Sequence, residues 1–114
     1  MKKINIIKKN TDYNRIIKSC KPYKYKDYII YIEKNNDDIY HFGFSVSKKI
    51  GGAVLRNKIK RQLKNIIDKK NYQNGFNCII MVRKGILDKS FTDMETELLY
   101  ILKKVNITKE KQNE

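Results

Sequence analysis

The sequence has one proline, one histidine, two cysteines, no tryptophan and no long hydrophobic run. Each shortage excludes something. Cys20 and Cys78 stand apart, with no C-x-x-C and no neighbouring histidine, so neither a zinc site nor a disulfide framework is expected; free thiols in a reducing, cytoplasmic setting are. The one histidine, His41, has as its nearest carboxylates Asp37 and Asp38 in a turn cluster. No paired acid and base and no carboxylate cluster lies beside the basic segments, which argues against a self-sufficient nuclease and leaves the catalytic and metal-ligand sets empty. The longest apolar runs, 28–32 and 78–82, have five residues each, which is strand length and far short of a membrane span. The basic start Met1-Lys2-Lys3 leads into an apolar stretch broken by Asn5 and stopped by Lys8 and Lys9, so no secretory signal is expected.

Acidic residues are scarce as well, 12 against 26 Lys and Arg in 114 residues, for a formal charge of +14. A surface that repels itself so strongly calls for a polyanionic partner, and with no membrane anchor in view that partner is nucleic acid. Heavy use of Lys, Asn, Ile and Tyr is also the habit of an AT-rich genome, so position counts for more than number.

Length and patterning point to one domain of about residues 1–105, an RNA-binding unit, followed by a flexible, lysine-rich tail at 106–114. Asn10 or Thr11 can cap a short helix ending near Ser19, with Tyr13, Ile16 and Ile17 on one edge. Pro22 opens a linker containing Tyr23 and Tyr25. A strand over 27–33 puts Tyr28, Ile30 and Ile32 on one face, Ile29 and Tyr31 on the other. After the turn 35–38, a strand over 39–47 alternates Phe42, Phe44 and Val46 with His41, Gly43, Ser45 and Ser47. Gly51-Gly52 breaks the chain before a helix over 53–69. Asn71 to Gly75 makes a turn, 76–83 a buried strand, and Lys84-Gly85 a loop. Ser90 with Asp93 reads as a capping pair for a last helix whose stripe is Phe91, Met94, Leu98, Ile101, Leu102 and Val105. The order helix, strand, strand, helix, strand, helix is an α+β sandwich, with helices expected on one face of a small sheet.

The helix over 53–69 carries the most information. At about 100° per residue, Leu55, Ile59, Leu63, Ile66 and Ile67 fall within an arc of about 120°, and Arg56, Asn57, Lys60, Arg61 and Lys64 fill the adjoining arc. Residues 48–65 hold seven Lys or Arg and no Asp or Glu. A merely solvated face intersperses carboxylates as i, i+4 partners; this one leaves its cations free for phosphates. Arginines can fork two hydrogen bonds onto a phosphate, and lysines act as point charges.

The segment Phe42-Gly43-Phe44-Ser45-Val46-Ser47-Lys48-Lys49-Ile50-Gly51, followed by Ala53-Val54-Leu55-Arg56-Asn57-Lys58-Ile59-Lys60-Arg61, resembles the signature of the protein subunit of bacterial ribonuclease P, including its Arg-Asn-Arg helix motif. Lys8-Lys9-Asn10-Thr11-Asp12-Tyr13 is similar to that family's opening helix, Tyr28 to Tyr31 to its early strand, and Ile79 to Lys84 to its last strand. The resemblance covers about residues 6–105. It implies a ribosomal protein S5 domain 2-like α+β fold: three helices on a small, twisted, mainly antiparallel sheet, with a left-handed βαβ crossover instead of the usual right-handed one. It implies an endoribonuclease subunit without catalytic side chains, in a holoenzyme whose RNA carries the chemistry with Mg2+ bound mainly by that RNA. The partners implied are ribonuclease P RNA and precursor tRNA, with no membrane or DNA. Position by position, Arg56, Asn57, Lys58, Lys60, Arg61 and Lys64 would contact the catalytic RNA. Tyr13, Ile17, Tyr31, Ser45, Ser47, Lys48, Lys49, Arg83 and Lys84 would line a cleft for the single-stranded 5′ leader, where aromatic faces stack on bases without demanding a sequence.

The chain departs from the family's habits in five places. Ile17 stands for a second aromatic, Lys58 for the motif's second arginine, His41 for a frequent arginine, Gly52 for a polar residue and Gly85 for a proline. A ribosomal-type structural RNA-binding protein shares the size, charge and fold class and is the nearest rival. A DNA-binding module has less support, since no helix-turn-helix, zinc finger or basic zipper appears.

Overall fold

The structure, a computed structural model, describes residues 1–109. Its elements are α1 (Asn10–Ser19), β1 (Tyr23–Tyr25), β2 (Tyr28–Lys34), β3 (His41–Ser45), α2 (Ala53–Ile67), β4 (Asn71–Tyr72), β5 (Phe76–Val82), α3 (Phe91–Lys104) and β6 (Thr108–Lys109), with short 3-10 turns at Lys3–Asn5 and Lys84–Asp88. The main sheet runs β1-β2-β5-β3, antiparallel except for the β3–β5 pair. Beyond β3, Ile6 bridges to Phe42 and lengthens that edge.

Both faces of this sheet are apolar, and helices pack on both. Tyr28, Ile30, Phe42, Phe44, Cys78 and Ile80 face α2 and α3 and form the main core with Ile59, Leu63, Ile66, Leu98 and Leu102. On the opposite face Ile79 packs with Ile16 of α1 and with Ile7, and Tyr13, Ile17, Cys20 and Tyr31 lie against them half-buried. The expectation of helices on one face alone is corrected here. The residues Ile29, Tyr31, Ile79 and Met81 make the second face too apolar to leave to water, and α1 closes part of it.

Four fully or nearly buried side chains seat α2: Ile59, Leu63, Ile66 and Ile67. At about 1.5–3 kcal/mol each, their burial far outweighs the roughly 0.2–0.5 kcal/mol of repulsion at each of the i, i+4 pairs Arg56–Lys60 and Lys60–Lys64. The helix can therefore carry a cationic band at little cost. It ends at Ile67, two residues before the expected stop, where Asp68 forms the C-cap. α1 has Lys9 at its N-cap with no side-chain bond, so neither Asn10 nor Thr11 caps it. α3 is capped as expected: the Asp93 N–H donates to Ser90 Oγ at 3.1 Å.

The hand of the β3–α2–β5 crossover follows from backbone chirality. Phe42 turns its side chain toward α2, and its carbonyl accepts from the Ile7 N–H at 2.8 Å on the side away from β5. Seen from the α2 face with β3 running upward, an L-residue whose side chain faces the viewer directs its carbonyl to the right. β5 therefore lies to the left, and the connection is left-handed, against the near-universal default.

Residues 106–109 of the expected tail are part of the folded domain. Ile107 is buried, and β6 pairs with β4 through Tyr72↔Thr108 and Asn71↔Lys109. Residues 110–114 of that expected tail lie outside the described residues.

Candidate RNA interface

The cationic band of α2 is built as its periodicity predicts. Leu55 is half-buried at the margin of the core, and Arg56, Lys60 and Lys64 follow one another along the row beside it. Lys64 ends with its Nζ 6.0 Å from the centroid of the Phe44 ring. Asn57 and Arg61 are exposed on the next row. Lys58, also exposed, sits on the far flank, near Arg61, Asn65 and the amino terminus. Arg56 is partly committed, since its Nε donates to the Gly51 carbonyl at 3.1 Å and fixes the entry turn of the helix. Among the described residues none of Lys48, Lys49, Arg56, Lys58, Lys60, Arg61 or Lys64 has an ion-pair partner. Six carboxylates are engaged elsewhere, in Arg15–Asp12, Arg15–Glu33, Lys69–Glu95, Lys89–Asp27, Lys89–Glu97 and the amino terminus with Asp68.

The second surface is the α1 face of the sheet, and strand register orders it in rows. Glu33, Asn77 and His41 form one row, Tyr31, Ile79 and Gly43 the next, and Lys24, Ile29, Met81 and Ser45 a third. α1 lies over the first two rows. Arg15 reaches Glu33 with Nη2–Oε1 at 2.9 Å and Nε–Oε2 at 3.1 Å, and Glu33 also accepts from Asn77 Nδ2 at 2.9 Å. The Arg15 guanidinium, helped by Asn77, holds the Glu33 carboxyl below its ordinary range against the opposing effect of burial. The Tyr13 ring rests on Gly43, where any Cβ would meet it at 2.8 Å. Its hydroxyl accepts from the Phe44 N–H at 3.0 Å and donates to the Ile7 carbonyl at 3.3 Å. Burial pushes the Tyr13 phenol up, and the Phe44 N–H pulls partly against it.

Past Tyr13 and Ile17 the helix stops, and the third row is left open. The result is a trough walled by Tyr13, Ile17 and Cys20, with Tyr31, Ile29 and Met81 half-exposed on its floor and Ser45 at the β3 edge. Ser47, Lys48, Lys49, Arg83 and Lys84 are exposed beyond the ends of β3 and β5. The Ser47 Oγ accepts from the Lys49 N–H at 3.1 Å and shapes that turn.

The family model for ribonuclease P matches residues 1–106. The chain belongs to the ribonuclease P protein family. Its relatives include the ribonuclease P protein components of Alkaliphilus oremlandii, 35% identical over 94% of this chain and 96% of the relative, and of Clostridium botulinum, 36% identical over 92% and 97%. Among solved structures it is similar to the ribonuclease P protein of Staphylococcus aureus, with a TM-score of 0.81, 32% identity and coverage of 92% and 98%. The Thermotoga maritima protein matches with a TM-score of 0.74 at 27% identity over 82% and 90%. This membership favours a subunit of the ribonucleoprotein endonuclease over the ribosomal-type scaffold, which shares the fold class but not the family.

Against that family's habits, three departures acquire a structural setting. His41 shares the Asn77 Oδ1 atom with Asn35, at 2.8 Å from its own Nδ1, in the network under α1 rather than in the open trough. A Cβ at Gly52 would meet nothing within 4 Å, so a polar residue fits there equally well. Gly85 is different: a Cβ would come 2.3 Å from the Asp27 carboxylate, which occupies that space and pairs with Lys89. The sequence-based site set missed Lys24, Ile29 and Met81. Alternation places Ile29 beside Tyr31, but only the β1–β2–β5–β3 register shows that Lys24, Ile29, Met81 and Ser45 share a row.

Proposed function

We propose that this chain is the leader-holding subunit of the holoenzyme that removes the 5′ leader from precursor tRNA, acting in the cytoplasm as one RNA-binding domain. In this reading α2 rests on the catalytic RNA through Arg56, Asn57, Lys58, Lys60, Arg61 and Lys64. The single-stranded leader lies in the open trough against Tyr13, Ile17 and Tyr31, while Ser45, Ser47, Lys48, Lys49, Arg83 and Lys84 follow its backbone. The RNA supplies the chemistry with its metal ions, Mg2+ being the natural choice for oxygen ligands. Among the described residues no three His, Cys, Asp or Glu side chains gather in one place.

The observation that carries this reading is the half-open α1 face, apolar and aromatic on its floor and cationic at its open end. Stacking on such a floor is tolerant of sequence, and lysine and arginine contacts track any backbone. A reader of many different leaders needs both properties. Tyr31→Ala tests it. The holoenzyme should keep its affinity for the catalytic RNA and for leaderless tRNA but bind a precursor with a 5′ leader more weakly, by about 1–3 kcal/mol if one stacked base is removed. An equal loss for leaderless RNA would remove the trough from the account.

A further inference from the structure

On the other side of the sheet from the leader trough, the end of α2, the outer side of α3 and the β4–β6 ribbon enclose an open groove of about 560 Å³. Among the described residues four lysines line it, Lys69, Lys70, Lys103 and Lys109, together with Leu99 and Tyr100, and no carboxylate does. The β4–β6 pairing builds this wall by bringing Lys109 opposite Asn71. Lys69 is tied to Glu95, whereas Lys70 and Lys109 have no ion-pair partner among the described residues. Tyr100 is 47% exposed, and its ring is backed by Tyr25 at 4.8 Å between centroids, with Lys104 Nζ 5.7 Å from its centre.

A solvated lysine face mixes in acids, and α3 does so at Asp93 and Glu97, with Glu95 pairing Lys69 at the groove's margin. This groove instead sets Lys70 and Lys109 beside a braced, half-exposed tyrosine, the combination that binds a single nucleic-acid strand by phosphate contact and base stacking. The turn after α2 delivers Lys69 and Lys70 into it. A leader lying in the trough is on the opposite face of the sheet.

We infer that this groove is a second contact surface for the catalytic RNA, taking an unpaired segment with a base against Tyr100, its phosphates on Lys70 and Lys109 in the groove and on Lys104, which lies outside the groove lining at the Tyr100 ring. The inference rests on the reading that α2 already lies on that RNA, and it adds a site on a different part of the fold. The test measures the Kd of a transcribed bacterial ribonuclease P RNA as a function of salt for five proteins: the unaltered chain, Lys70→Ala/Lys104→Ala/Lys109→Ala, Tyr100→Ala, Tyr100→Phe and Lys60→Ala/Arg61→Ala. At about 0.7 units of salt slope per neutralised single-strand phosphate, the triple variant should fall by roughly 2 units. Tyr100→Ala should weaken binding and Tyr100→Phe restore it. Discrimination between precursors with and without a leader should be unchanged in all groove variants. If the triple variant keeps the full slope while Lys60→Ala/Arg61→Ala loses part of it, the groove is no RNA surface and the α2 reading stands alone. If neither changes, the α2 reading and this inference fall together. Weakening confined to leader-bearing precursors would assign the groove to the substrate and overturn its assignment to the catalytic RNA.

Discussion

Replacing Gly43 by alanine should lift α1 from the sheet. The added Cβ would stand 2.8–2.9 Å from Cζ, Oη and Cε1 of Tyr13, closer than real Cβ atoms come to anything. The ring has no easy escape, because its hydroxyl is held by the Phe44 N–H at 3.0 Å and the Ile7 carbonyl at 3.3 Å and its flank by the small core around Ile16 and Ile79. Overpacking of this kind costs about 1–3 kcal/mol, and loosening the hydrogen bond to Phe44 adds about 1 kcal/mol. The expected loss is thus roughly 2–4 kcal/mol, or on the order of 10 °C in melting temperature for a domain of this size. Urea unfolding of Gly43→Ala, Tyr13→Ala and the double variant isolates the interaction. With the Tyr13 ring gone, the alanine at 43 has room, so in that background the Gly43→Ala step should cost under about 0.5 kcal/mol. An equal cost of the step in both backgrounds would refute the seating of Tyr13 on Gly43, and with it the account of how α1 is fixed at the trough.

Lys60→Ala/Arg61→Ala should reduce the salt dependence of catalytic-RNA binding by about one unit of slope for each phosphate no longer neutralised; measured affinities from low to moderate salt check this, and an unchanged slope counts against the α2 band. Glu33 gives a pH signature. Its carboxyl is held below the ordinary 4.5, first by Arg15 and then by Asn77, so the stability it contributes is present above that value and is lost as pH falls through its lowered folded value. Urea midpoints of the unaltered chain and Glu33→Gln should therefore differ at pH 7 and converge as pH falls through the lowered folded value; a gap independent of pH would show that the Arg15 pair contributes nothing. Exposure of Arg15 keeps the expected difference small.

How legible each part of the fold is depends on length and on register. α2 and α3 can be read because several turns of 3.6-residue period separate core from solvent, and β2 and β5 because β-branched alternation runs for seven residues. β1, β4 and β6 have only two or three residues, too few for any period, and β1 reads as a linker because Pro22 and two exposed or half-exposed tyrosines mask its pairing with β2. The covering of the second face is hidden for a related reason. Ile29 and Tyr31 announce an apolar second face, but α1 shows only Tyr13, Ile16 and Ile17, and nothing in sequence says which side of the sheet they seek. The cations of α2 are legible as a band because their row is fixed by the same period that buries Ile59 and Leu63. The floor of the trough is legible only in part, since Met81 and Lys24 join Ser45 through strand order. The groove beside Tyr100 is invisible in the sequence because it depends on β6, in a segment whose composition reads as a tail.

The most direct measurement is cleavage of a precursor tRNA at low magnesium by a bacterial ribonuclease P RNA, with and without this protein. The account predicts correct 5′ cleavage only when both are present and none from the protein alone. Cleavage by the protein alone would contradict it, as would binding to the RNA that never assists the cut.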